Sequence, residues 1–336
     1  MRDDRRFGMT TFEHPSGSAT LSEIENDTRR VHVKLSDNRT FSPLLECRTT
    51  YPDSLIQLII DIKGPAWLCD EIARDEDRNY VQAHLETEMR AFFDFEAMRG
   101  KRILDFGCGS GASTMCLARL FPDSEIVGVE LEESLLSIAE ARRAHYGFAN
   151  VRLMRSPSGM ALPDGVGEFD LVVLSAVYEH LLPNERGQIL RQVWSKLNAG
   201  GILFINQTPL RYFPLELHTT GLPLINYLPD RLTFWAAKKF SNRVSKTDNW
   251  ESLLRAGIRG ATVREIRSHL DARAALLQPT MSGLRDRVDL WFAMTNMDNL
   301  RTVKRAARVV LKSINAVTGI AIVPELSLAF RKSPKV

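Results

Sequence analysis

Residues 103–111, ILDFGCGSG, constrain this chain more than any other stretch. Apolar residues and one acid lead into glycines at alternate positions, Gly107, Gly109 and Gly111, as when a buried strand ends in a turn too tight for side chains. Such a turn lets the backbone approach a ligand and opens a helix whose first amides face it. Gly107, Gly109 and Ala112 also fit the dinucleotide spacing G-x-G-x-x-G/A, with the acidic Glu130 about 20 residues on, as that fingerprint asks. Glycine spacing alone leaves the ligand class open. Asp105, two residues before the first glycine, separates the readings: a charge there repels a pyrophosphate and suits an ammonium group.

Downstream of Lys101 the pattern alternates between strand and helix, which predicts a parallel sheet with helices on both faces. Strands are expected at 103–106, 125–130, 151–155, 169–174 and 202–206, then a sixth at 262–266 and a seventh from 320–322 and 326–330 as an antiparallel edge. Helices are expected at 112–121, 132–146, 184–197 and 250–257. The fold class is therefore α/β: a doubly wound, mostly parallel, seven-stranded Rossmann-like sheet with N-terminal helices and a C-terminal helical insertion.

The remaining organisation reads as follows. Residues 1–40 carry few large apolar groups and are expected to be a flexible N-terminal segment. Residues 41–100 form an N-terminal helical cap, with one helix over 54–73 broken at Gly64-Pro65 and a second over 78–98. The aromatic group Phe92, Phe93 and Phe95 fits either a core stripe or a pocket lining. The core spans 101–269 with a substrate loop at 208–232, the helical insertion 270–316, and a closing strand and tail 317–336. Hydrophobic residues at 44%, charged residues at 25% and a net charge of +3 describe an ordinary globular chain and give no reason to expect a nucleic-acid partner. Cys47, Cys69, Cys108 and Cys116 lack zinc-ligand or disulfide-framework spacing, so no metal is expected and a reducing cytoplasm is the expected location. No signal peptide or membrane span is expected.

Four segments, ILDFGCGSG, VGVELEE, SGMALPDGVGEFDLVVLSAVYEHL and LNAGGILFINQTP, resemble in order and spacing the motifs of class I S-adenosylmethionine-dependent methyltransferases, over roughly residues 100–210. The resemblance implies S-adenosyl-L-methionine as cofactor, a zwitterion with a sulfonium and an unphosphorylated ribose. It implies that Asp105 and the glycine turn of Gly107, Cys108, Gly109 and Gly111 hold the methionine part and that Glu130 takes the ribose hydroxyls. Leu131 and Met160 would flank the adenine, Ser158 and Gly159 would border it, and Ser175 would lie beside the methionine. Many relatives place Asp where this chain has Ser158, a neutral and weaker acceptor.

Catalysis of methyl transfer needs alignment, exclusion of water and, for a hydroxyl or protonated amine, removal of a proton. His180, in YEHL, is placed to act as base or substrate contact, or else to bond a backbone carbonyl. The crowded loop 208–232 supplies His218 as a second base and Arg211 as a holder of an anionic acceptor; a structural histidine and an exposed loop arginine are the alternatives. In the insertion, Arg301, Lys304, Arg305, Arg308 and Lys312 share a helical face opposite Val303, Ala307, Val310 and Ile314, suited to peripheral membrane contact or simply to solvent. The expected function is methyl transfer to an O, N or C nucleophile of a small molecule, with a sugar or lipid-linked intermediate in view. An NAD(P)-dependent oxidoreductase and a non-catalytic S-adenosylmethionine-binding module are the alternatives.

Overall fold

The computed structural model describes residues 9–25, 27–37, 44–295 and 301–334. Along the chain, β1 (Met9–His14), β2 (Gly17–Glu25), β3 (Thr28–Leu35) and β4 (Glu46–Thr49) pair in that order as an antiparallel sheet. Ala19, Leu21, Val31 and Val33 point from it into a core shared with α1 (Asp53–Lys63) and α2 (Pro65–Glu76). The expected flexible segment is thus, over most of 9–35, a folded sheet. Its inward positions alternate with charged ones, so period-2 patterning is carried by few, small residues. Residues 1–8, 26 and 38–40 of that segment lie outside the described residues.

Gly64, at φ 80°, separates α1 from α2, and Pro65 opens α2, as the Gly-Pro break predicted. The expected helix over 78–98 is instead a π turn at Arg78–Gln82, α3 (Ala83–Arg90) and a short 3₁₀ turn at Glu96–Met98. Phe92, Phe93 and Phe95 are buried with Met115, Leu117 and Phe204, which makes them core.

The main sheet follows: β5 (Arg102–Phe106), α4 (Ala112–Leu120), β6 (Glu125–Glu130), α5 (Glu133–Tyr146), β7 (Val151–Arg155), β8 (Phe169–Ser175), α6 (Pro183–Ser195) and β9 (Leu197–Pro209). After the loop come α7 (Asp230–Phe240), α8 (Trp250–Arg255), α9 (Val263–Ser268), β10 (Ala274–Leu276), α10 (Arg287–Met294), α11 (Arg301–Thr318) and β11 (Glu325–Lys332). The seven strands run β10-β11-β9-β8-β5-β6-β7, and only β11 is antiparallel to its neighbours. Alternate residues enter opposite cores: Leu104, Val172 and Leu203 pack with α6, whereas Ile103, Leu171 and Ile202 pack with α4. Both faces being covered explains why these strands read as unbroken apolar runs.

Two expectations are corrected. Residues 262–266 are not a strand, because the Thr262 hydroxyl accepts from the Glu265 amide at 3.0 Å and caps α9; the sixth strand is β10. Residues 320–322 precede the seventh strand without joining it. Strand order reverses between β5 and β8, so the carboxyl ends of these two strands border the crevice where such sheets bind ligands.

Candidate active site

That crevice is a cleft of about 590 Å³. Gly107, Glu130, Leu131, Ser158, Gly159 and His180 are among the residues that line it. Gly107 has φ 72°, and a Cβ there would lie 2.9 Å from the Val177 methyls, so only glycine leaves the β5 and β8 ends this close. Gly111 starts α4 at φ 87°, with α5 so near that a Cβ would sit 2.7 Å from Ala139 Cβ.

The turn's amides are largely committed within the protein. Gly107 and Cys108 donate to the Val129 carbonyl at 2.8 and 3.1 Å, and Gly111 donates to the Cys108 carbonyl at 2.9 Å. Gly109 donates to Glu130 Oε2 at 2.8 Å, while Glu130 Oε1 accepts from the amides of Leu131 and Glu132 at 2.7 and 3.0 Å. Amides committed in this way are not free to wrap a diphosphate, and the carboxylate on them adds repulsion.

Asp105 lies beneath the turn at 1% exposure, and its Oδ2 accepts from Ser113 Oγ at 2.8 Å and Thr114 Oγ1 at 2.6 Å. Burial pushes its carboxyl up to about 6 against these hydrogen bonds. It is outside the cleft lining, so it braces the turn and projects charge from below instead of presenting a surface oxygen. Cys108, Gly109, Gly111 and Ser175 likewise surround the cleft without lining it, and Met160 stands outside the lining with its carbonyl held by Gln188. Ser158 keeps its hydroxyl turned to the Met160 amide at 3.3 Å.

A buttress that the sequence reading missed holds the turn from behind. Arg142 of α5 is fully buried and donates to Ser110 O at 2.8 Å, Ser110 Oγ at 3.0 Å, the Glu71 carbonyl at 2.6 Å and Tyr51 Oη at 3.0 Å. Burial works against ionisation of Glu71, but Arg142, Lys63 and the Ser110 hydroxyl bring its carboxyl down to about 2. Through this network the N-terminal cap fixes the glycine turn. In sequence Arg142 belongs to an unremarkable ARRAHY helix; its only signal is a position where α5's inward face falls.

In the cleft wall, His180 Nδ1 lies 2.6 Å from the Arg255 carbonyl, and burial lowers its pKa. Arg255 also pairs with both oxygens of Glu185 at 2.6 Å, tying α8 to the start of α6. The His180 and His218 rings are 5.6 Å apart between centroids. His218 lines a second cleft, of about 180 Å³, together with Arg211 and Arg259. The loop presenting His218 is built on Glu216, whose carboxylate accepts the amides of His218 and Thr219 at 2.8 Å. Nη1 of Arg211 is buried without a hydrogen-bond partner among the described residues. Glu179, the buried neighbour of His180, went unnoticed in the sequence reading although YEHL contains it.

A glycine turn on β5, an acid at the tip of β6 and a crevice at the strand reversal define a Rossmann-like α/β fold. More specifically, residues 103–201 match the family model of a methyltransferase domain. The chain is 29% identical over 144 residues to the mitochondrial ubiquinone biosynthesis O-methyltransferase of Saccharomyces cerevisiae, covering 42% of this chain and 41% of that one. It is 32% identical over 120 residues to the malonyl-(acyl-carrier protein) O-methyltransferase of Bacillus cereus, covering 35% and 41%, and 34% identical over 124 residues to a protein-L-isoaspartate O-methyltransferase of Rhodopseudomonas palustris, covering 37% and 49%. The chain thus spans less than half the length of these relatives, and their names give three different acceptors.

Proposed function

We propose that the chain transfers a methyl group from S-adenosylmethionine to an oxygen or nitrogen nucleophile of a small anionic molecule. The observation that carries this reading is the turn whose amides are committed to Val129, Cys108 and Glu130, with two carboxylates beside it, feeding a cleft that His180 also lines. This charge pattern suits a cationic, phosphate-free nucleoside and opposes a dinucleotide. The cofactor supplies an already activated methyl group. Glu130 would hold the ribose, the Gly107 backbone with Asp105 beneath it the amino acid part, and Leu131 one adenine face. His180, whose Nδ1 is engaged by a carbonyl, turns Nε2 toward the acceptor end and would take its proton, with His218 next to it. The unpaired Arg211 nitrogen would hold the acceptor's anionic group.

A lipid-linked acceptor gains support from α11, whose orientation reverses the expected one. Ala307 and Leu311 pack inward, Arg308 and Lys312 pair with Asp289 at 2.6 and 2.7 Å, and Val303, Val310 and Val317 face outward, Val317 at 87% exposure. Lys304 turns inward to the Thr295 carbonyl at 2.6 Å, which leaves an outward apolar stripe with the exposed Arg305 on the solvent side, an arrangement suited to an interfacial helix. Incubating the protein with cell extract and methyl-labelled S-adenosylmethionine tests the whole reading. Label should enter an anionic small molecule, and Arg211→Ala should raise KM with little change in kcat. Failure to label any extract component, with nicotinamide cofactors binding instead, overturns it.

A further inference from the structure

His180 lines the larger cleft and His218 the smaller, and with the buried Glu179 their donor atoms all lie within 4.8 Å of one another. Among the described residues, Oε1 of Glu179 is buried with no hydrogen-bond partner and stands 3.6 Å from His180 Nε2, too far for a hydrogen bond. A buried carboxylate oxygen left unpaired is costly unless something occupies the space in front of it. Donor atoms at zinc–nitrogen and zinc–oxygen distances of about 2.1 Å in a tetrahedron stand about 3.4 Å from each other, close to the 3.6 Å between Glu179 Oε1 and His180 Nε2.

The surroundings are those of a metal site. The Arg255 carbonyl, 2.6 Å from Nδ1 of His180, fixes the proton on Nδ1 and leaves the Nε2 lone pair free, the orientation that outer-shell carbonyls impose on ligating histidines. Thr208 Oγ1 donates to Glu179 Oε2 at 3.0 Å, which aims Oε1 away from it. Gly257, at φ 89°, leaves room for the cluster: a Cβ there would lie 2.7 Å from His218 Cδ2 and 3.2 Å from Glu179 Cγ. The Glu216-built loop delivers His218 to this point.

We propose that Glu179, His180 and His218 form a site for a divalent first-row transition ion, zinc being the probe, with its remaining coordination position open toward the acceptor. Two imidazoles and one carboxylate match borderline metals and not the oxygen cages of calcium or magnesium. Three protein ligands leave a position for a hydroxyl of the acceptor, which the ion would orient and acidify; its proton then passes to water, because Nε2 of His180 is a ligand with the ion bound and a base only without it. The purpose given to the ion rests on the methyl-transfer reading; its binding does not.

The test uses the full chain after chelator treatment, titrated with Zn²⁺ by calorimetry and with Co²⁺ by visible absorbance. One ion per chain is expected, with the intense bands of low-coordinate cobalt. His218→Ala, on a surface loop, should weaken Zn²⁺ binding roughly 100-fold or more while S-adenosylmethionine affinity stays unchanged, and Glu179→Gln should do the same. Unchanged Zn²⁺ affinity in a folded His218→Ala protein, or binding of Mg²⁺ alone, overturns the site. Zinc binding without any S-adenosylmethionine binding would instead sink the methyl-transfer reading and leave the site standing.

Discussion

Replacing Asp105 by Asn should make the empty protein more stable and its cofactor binding worse. The carboxyl is 1% exposed, and burial lifts it from 3.8 to about 6, roughly two units. At 1.36 kcal/mol per unit, holding it ionised costs the folded state about 3 kcal/mol. Because the folded pKa lies above the unfolded one, the folded state binds the proton more tightly. The destabilisation contributed by this one group is therefore absent below about pH 4, grows as pH rises toward 6, and is constant beyond that. Asn keeps an oxygen for Ser113 and Thr114 but carries no charge. Urea unfolding at pH 7.5 should show Asp105→Asn more stable than the parent by up to about 3 kcal/mol, with the gap closing near pH 4. Calorimetry at pH 7.5 should show S-adenosylmethionine bound at least about tenfold more weakly, a loss of about 1.4 kcal/mol. A variant no more stable at pH 7.5, or a gap independent of pH, would refute the claim that a buried charge is kept beneath the turn for the ligand.

Removal of the buried Arg142 by Arg142→Ala leaves Glu71 and Asp75 buried without their shared cation and should cost about 3–5 kcal/mol in urea unfolding. Gly111→Ala, forced to a left-handed φ and against Ala139, should lower the melting temperature and cofactor affinity together, read by calorimetry with and without ligand. Val310→Asp should reduce cosedimentation with anionic vesicles while labelled-methyl transfer to soluble acceptors is unaffected.

The cofactor half of the molecule was legible because each element repeats a strong local signal. Apolar runs such as FDLVVL can only be strands buried on both faces, and glycines at alternate positions force the turn. What was hidden depends on contacts distant in sequence. Arg142 gains its role only by meeting Glu71 and Ser110, 71 and 32 residues away. Met9–Leu35 folds because its sparse inward residues meet α1 and α2, a partner the local pattern does not reveal. Thr262 and Glu265 outweighed the β-branched character of their neighbours by capping a helix. Glu179 was masked by the more conspicuous histidine beside it.

The central claim is that Glu130 and the glycine turn grip a phosphate-free sulfonium nucleoside. Calorimetric titration of the parent and Glu130→Ala with S-adenosylmethionine, S-adenosylhomocysteine and NAD tests it most directly. The parent should bind the first two and not NAD. Glu130→Ala, losing two charge-assisted hydrogen bonds to the ribose, should bind both roughly 100-fold more weakly. NAD binding by the parent, or S-adenosylmethionine affinity untouched by Glu130→Ala, would contradict the account.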